Sequence, residues 1–189
     1  MKSKKQRQAK NIRSFRKVHR TMGIFLFAFF FFISISGILL GLKKHSGNFI
    51  SPKTHLGTSS DFKKWLPLED LHLMADNILK DSVASNISLE INRIDIRKQK
   101  GIVKFIYENH LWEIQLDGAT GNVLSLGKRN ADLIENIHDG SILDQYFETS
   151  NGQIKLVYTT IAGLALLLFT ITGFWLWYGP KRMKKTIKL

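Results

Sequence analysis

Two long apolar runs stand near the ends of the chain, and shorter mixed patterns fill the space between them. Met22 to Leu42 is 21 residues without a charged side chain, and it contains four consecutive phenylalanines, Phe29 to Phe32. At ~1.5 Å per helical residue it reaches ~31 Å, the thickness of one hydrocarbon core. Leu156 to Tyr178 is a second uncharged run, 23 residues long, reaching ~34 Å on the same rise. Two such runs predict two transmembrane helices. The first exceeds the ~7–15 apolar residues of a signal peptide. Ser34-Ile35-Ser36, the small-residue stretch that suggests cleavage, lies inside it, so an uncleaved anchor is expected. Ile12, Phe15, Val18 and Met22 recur at helical spacing among basic residues. They predict a cytoplasmic helix that lies on the membrane surface or extends the span.

Between the runs the period changes. Leu68, Leu71, Ala75, Ile78 and Leu79 follow Pro67 at helical spacing. They predict a helix over about 67–80, with proline in its first turn and Glu69 and Asp70 at the positive end of its dipole. Alternating, β-branched segments then predict strands over 88–97, 101–108 and 111–116, and a short one around Val123, Leu124 and Leu126. Asn109-His110 is the expected hairpin turn, and Asp117 to Gly121 a second turn with two glycines. The expected fold class is an α+β membrane protein. Two transmembrane helices flank a small domain in which one helix packs on three or four antiparallel strands. The boundaries read as a basic segment 1–21, a first span 22–42, a linker 43–66, a domain 67–128, a helical return segment 129–155 broken at Asp139-Gly140, a second span 156–178 and a basic tail 179–189.

Charge alters the picture of partners. The net charge is +13, which on its own suggests nucleic acid. Its distribution argues against that. Residues 1–21 carry nine Lys/Arg and 179–189 carry five, with no acid in either, while the remainder sums to −1. Positive tails abutting apolar runs place both termini in the cytoplasm and residues 43–155 on the far side, with anionic lipid head groups as the tails' partner. Trp175, Trp177 and Tyr178 form an interfacial belt at the end of the second span. Gly37 and Gly41 make a G-x-x-x-G, and Gly163 and Gly173 offer small contacts on the second helix. They read either as a homodimer seam or as packing of the two helices within one chain.

The stretch Trp112 to Leu124, with its aspartate–glycine–x–threonine–glycine turn, resembles a PepSY domain. Arg16-Lys17-Val18-His19-Arg20 before the first span is similar to the start of PepSY-associated transmembrane proteins. So are Ile137-His138-Asp139-Gly140 and the ending Thr172-Gly173-Phe174-Trp175-Leu176-Trp177. The resemblance implies a bacterial inner-membrane protein with a periplasmic PepSY domain, acting as a binding or accessory module linked to iron or siderophore uptake. It leaves two alternatives open: a haem-binding electron-transfer component that reduces ferric-siderophores, and a module that regulates a periplasmic peptidase. Larger relatives have about four spans and this chain has two, a departure that weighs against a complete electron path within one chain.

The six histidines are His19, His45, His55, His72, His110 and His138, and none falls in the apolar part of a span. If haem b is bound, His19, His45 and His138 are the candidate ligands. His19 and His138 belong to opposite membrane faces and cannot share one iron, whereas His45 and His138 belong to the same face. The other reading makes His19 and His138 polar residues that orient helices. His72 and His110 read as surface or partly packed. No catalytic residue and no metal-ligating motif is identified: cysteine is absent, and no nucleophile–histidine–acid order, H-E-x-x-H or phosphate loop occurs. Expected partners are therefore the bilayer, a membrane or periplasmic protein, and a second copy of the chain.

Overall fold

The computed structural model describes residues 4–185. The ends of both basic tails, Lys2 and Lys188 among them, lie outside the described residues. The chain forms two compact units, one built from the segments up to Ser36 and from Asn136 onward, the other from Gly37–Glu135.

The helical unit rests on α1 (Lys4–Gly41) and α5 (Gln153–Lys185). Among the described residues these are the two helices long and apolar enough to cross a membrane. Phe25 is 80% exposed and Ile24 73%. A helix that is apolar on every side and open to its surroundings belongs in hydrocarbon. The basic segment before the first span continues the same helix. Ring contacts follow α1 forward as they follow α5 backward: Phe15 stacks on Trp175, His19 and Phe30 meet Phe169, and Phe29 meets Tyr158. The helices therefore pair antiparallel. A short corner precedes α5. In it α3 (Asn130–Asp139) and α4 (Ser141–Tyr146) are separated by Gly140 at φ +79°. A Cβ there would lie 2.6 Å from the Tyr158 ring, so both conformation and space require glycine. The Asp144 carboxylate takes the Ile154 and Lys155 N–H groups at 2.9 and 2.7 Å and the Thr149 hydroxyl, capping the start of α5.

The sheet unit is a meander of four antiparallel strands in the order β1 (Ile91–Arg97), β2 (Ile102–Tyr107), β3 (Trp112–Asp117), β4 (Val123–Lys128). The helix α2 (Leu68–Ser82) covers one face. It buries Leu71, Ala75 and Leu79 against Val103, Phe105, Tyr107, Ile114 and Leu116. Each large apolar side chain buried there contributes ~1.5–3 kcal/mol.

Three local differences from the sequence reading have physical causes. The first strand begins at Ile91, after Ser88 and Glu90 are used in bonds to the β2–β3 loop. That loop is wider than Asn109-His110, because Leu111 takes φ +62° and leaves the ladder, so β3 starts at Trp112. The segment read as a linker, 43–66, is a strap bound along the sheet. Gly57 N–H donates to Lys100 O, Thr58 N–H donates to Asp117 Oδ2 and Leu66 N–H donates to Gly118 O, while within the strap Trp65 Nε1 donates to Ser59 O. Its polar composition reflects polar partners on the sheet.

Candidate functional site

Strand β3 alternates. Trp112, Ile114 and Leu116 face α2, and Glu113, Gln115 and Asp117 face the strap. This second face is polar and closed to solvent: Glu113 and Gln115 are 0% exposed. Antiparallel register sets Lys104 opposite Gln115 and diagonal to Glu113. The Lys104 ammonium donates to Glu113 Oε1 at 2.9 Å and to Thr54 Oγ1 at 3.1 Å. Gln115 Nε2 donates to the same Glu113 oxygen at 2.7 Å and to Lys53 O at 2.8 Å. Arg129, just past β4, donates to the other Glu113 oxygen and is held in place by Asp132. A buried carboxylate thus serves two buried cations, as its desolvation demands. Burial pushes the Lys104 ammonium below its ordinary range, and Glu113 only partly offsets this. Burial also pulls on Arg129, but its bonds to Asp132 and Glu113 hold it firmly charged.

The two cations form the floor of a cleft of about 560 Å³, a size typical of ligand sites. Lys43, Lys44, Lys53, Arg97 and Lys100 line its walls, and no carboxylate does. Among the described residues no ion pair reaches Lys43, Lys44, Lys53 or Lys100. The Ser51 hydroxyl, also in the wall, is buried without a hydrogen-bond partner. Sequence reading missed this cleft because its cations come from four separated segments, and the net charge between the tails is close to neutral.

The Asp117–Gly121 turn fastens the strap. Burial raises the Asp117 carboxyl. Bonds from the Thr58 hydroxyl and from the N–H groups of Ala119, Thr58 and Thr120 more than cancel this, and the group stays below the usual carboxylate range. Gly118 packs under the Trp65 ring, where a Cβ would collide, and Gly121 holds φ +72°.

Two of the singled-out histidines occupy matched settings in the helical unit. His19 Nδ1 lies 2.8 Å from Thr172 Oγ1, and that hydroxyl also lies 2.7 Å from Leu168 O. His138 Nδ1 lies 2.9 Å from Ser36 Oγ, which lies 2.7 Å from Phe32 O. A hydroxyl has one hydrogen, and a helix carbonyl four residues back takes it. With that hydrogen given to the helix, each hydroxyl oxygen has lone pairs left to accept from an imidazole Nδ1–H. In the sequence Ser36 and Thr172 read only as parts of other motifs, not as histidine partners, because serine and threonine in a span ordinarily do no more than bond their own helix. Ser36 lies 17 residues beyond His19 on α1, roughly 25 Å along the axis, so the two rings are far apart. His45 lies in the turns after α1, its N–H donating to Leu42 O. His72 stacks on Phe105, and His110 contacts Ser88 O. Among the described residues no three His, Cys, Asp or Glu converge as a metal site.

The small residues divide. A Cβ on Gly173 would meet His19 Cε1 at 3.8 Å, whereas nothing lies within 4 Å of one on Gly41 or Gly163. Gly37 belongs to the last turns of α1. Between α1 and α5 the closest glycine approaches fall at Gly179, against Ile12, and Gly23, against Phe169. At the end of α5, Tyr178 stacks on Phe174 and Lys181 sits 3.7 Å over the Trp177 ring.

No curated protein and no solved structure matches the chain. The family described as PepSY-associated TM region matches residues 16–188. That range takes in both apolar helices and the sheet between them, and the chain is a membrane protein belonging to this family.

Proposed function

We propose that the protein is an inner-membrane-anchored module of PepSY type that presents its sheet unit in the periplasm, with both termini in the cytoplasm, and engages a ligand on the strap-covered face. The observation that carries this is the basic cleft, with two buried cations in its floor and no acid in its wall. Such a wall selects for negative charge. The link to iron or siderophore uptake comes from the family resemblance and agrees with the negative charge of many ferric chelates. The test is growth of a strain lacking the protein on ferric chelates as the sole iron source, with the full chain restored in trans. A growth defect corrected by the chain is expected, and growth equal to the parent would refute the iron link. Topology is tested separately. Reporter fusions at both termini should be active only in the cytoplasm and a fusion at Lys98 only outside.

A second reading, haem-dependent electron transfer to ferric complexes, rests on the histidine settings. A ligating imidazole is commonly oriented by a bond from its other ring nitrogen to an oxygen, and Nδ1 of both His19 and His138 lies within hydrogen-bond distance of a hydroxyl oxygen. A haem held there would supply one-electron chemistry. Within one chain the same-face pair for two-histidine ligation is His45 and His138, and a second copy, supplying four helices, is the other way to complete a site. The visible spectrum of the protein expressed with haem decides this. A reducible Soret band lost in His19→Ala or His138→Ala supports it, and a colourless protein removes it. Restraint of a periplasmic peptidase, the third reading, predicts capture of a peptidase by the full chain, and capture of none counts against it.

A further inference from the structure

The cleft has a location as well as a charge. Lys43 and Lys44 are the first residues after Leu42, the last residue of the apolar run that begins at Met22. Consecutive Cα atoms are ~3.8 Å apart, so this wall of the cleft starts within a few ångström of where the hydrocarbon-compatible helix ends. That depth is the head-group layer. The rest of the wall recruits Lys53 from the strap and Lys100 from the turn before β2, while Lys104 and Arg129 close the floor. The floor cations share one carboxylate, Glu113. The Ser51 hydroxyl adds an unused hydrogen-bonding group in the wall. Lysines that only keep a surface soluble point apart into water. These converge on a concave space, around side chains that folding has already dehydrated.

We infer that the cleft binds a phosphate-type oxyanion supplied by an anionic phospholipid head group of the leaflet facing the sheet unit. This rests on reading the sheet unit as a ligand-binding module on a membrane anchor, and it names the ligand of that module. Several cations around one space suit a group that presents several oxygens. A cleft that begins at the head-group layer meets lipid phosphates at far higher local concentration than any solute. A bound head group would also hold the sheet unit against the bilayer.

The experiment uses the full chain in detergent micelles, titrated with phosphatidylglycerol or phosphatidylcholine and read by native mass spectrometry as lipids retained per chain. Lys53→Gln/Lys100→Gln is compared with the parent. Both residues are solvent-exposed, so the variant should keep its fold, which circular dichroism checks. The basic tails are identical in the two proteins, so any difference belongs to the cleft. The parent should retain phosphatidylglycerol in preference to phosphatidylcholine, and the variant should retain it roughly ten- to thirty-fold more weakly, as loss of two cations at an anionic surface implies. Inorganic phosphate and glycerol 3-phosphate form the soluble arm. If they bind the parent as well as the lipid does and the variant loses both, the source is a solute and the lipid assignment is overturned, while the module reading stands. Equal retention by parent and variant overturns the cleft as an oxyanion site. Failure of the iron-growth test with lipid retention intact overturns the iron link and leaves this inference in place.

Discussion

Replacing Glu113 by glutamine removes the single negative charge between Lys104 and Arg129 while preserving size. Arg129 keeps its bonds to Asp132, but Lys104 remains buried and the neutral amide offers it no counter-charge. Stranding a partner of a buried ion pair costs ~3–5 kcal/mol. The strands concerned are central: β2 and β3 pair with each other and with both edge strands. Their amides should therefore report the loss. Hydrogen exchange of β2–β3 peptides in the full chain, in micelles, should accelerate by roughly two to three and a half orders of magnitude at ten-fold per ~1.4 kcal/mol. Lys104→Met leaves Glu113 with Arg129 and Gln115 and keeps the aliphatic stem, so its cost is the smaller one of a charged hydrogen bond, ~1.5–3 kcal/mol. In Lys104→Met/Glu113→Gln the stranded lysine is gone, and the double variant should fall short of the sum by more than ~1 kcal/mol. Additivity within ~0.5 kcal/mol, the behaviour of independent sites, would refute the shared-carboxylate account of the cleft floor.

Four further outcomes follow from local geometry. Gly118→Ala places a methyl group against the Trp65 ring, so Trp65 should leave its bond to Ser59 O and proteolysis should begin within 57–66; a protease-resistant variant would contradict this. Asp117 has a depressed pKa, so the stability it contributes is present above the unfolded carboxylate value of ~3.9 and is lost as pH falls through its lower folded value; exchange at Thr58 should rise on acidification, and Asp117→Asn should abolish that dependence. Ser36→Ala should lower a reporter of helix pairing, such as Tyr158 quenching, less than His138→Ala does, because the serine already bonds its own helix at Phe32 O whereas the imidazole fills space between elements. Asp144→Asn weakens the cap on α5, and the first turn from Gln153 should exchange faster while the span beyond it is unchanged.

The architecture was legible because its signals are long or repetitive. Two uncharged runs of bilayer length, the Leu71–Ala75–Leu79 spacing and the alternation of β2 and β3 each repeat a constraint many times. The cleft was not, for a physical reason. In β3 the sequence Glu113-x-Gln115-x-Asp117 has the period of a wetted sheet face, and only the strap, whose polar backbone satisfies those side chains, turns it into an interior. Nothing in residues 43–66 carries a periodic signal of that role, since an extended chain bound through Lys53 O, Thr54 and Thr58 uses backbone and short polar groups. The histidines were visible as candidates. Their hydroxyl partners sit more than 100 residues away in sequence and could not be paired with them by spacing.

The matched hydroxyls have a consequence for synthesis. The first span leaves the ribosome long before the second exists, because the whole sheet unit, Gly37–Glu135, comes between them. At ~5–20 residues per second that interval is several seconds or more, during which α1 waits in lipid without its partner helix. Ser36 does not wait with an unsatisfied hydroxyl, because its hydrogen is already given to Phe32 O within the same helix. Thr172 arrives in the same condition, bonded to Leu168 O. Each span can enter the bilayer as a self-sufficient rod, and assembly then requires only that an imidazole dock on an oxygen that has had its lone pairs free from the start.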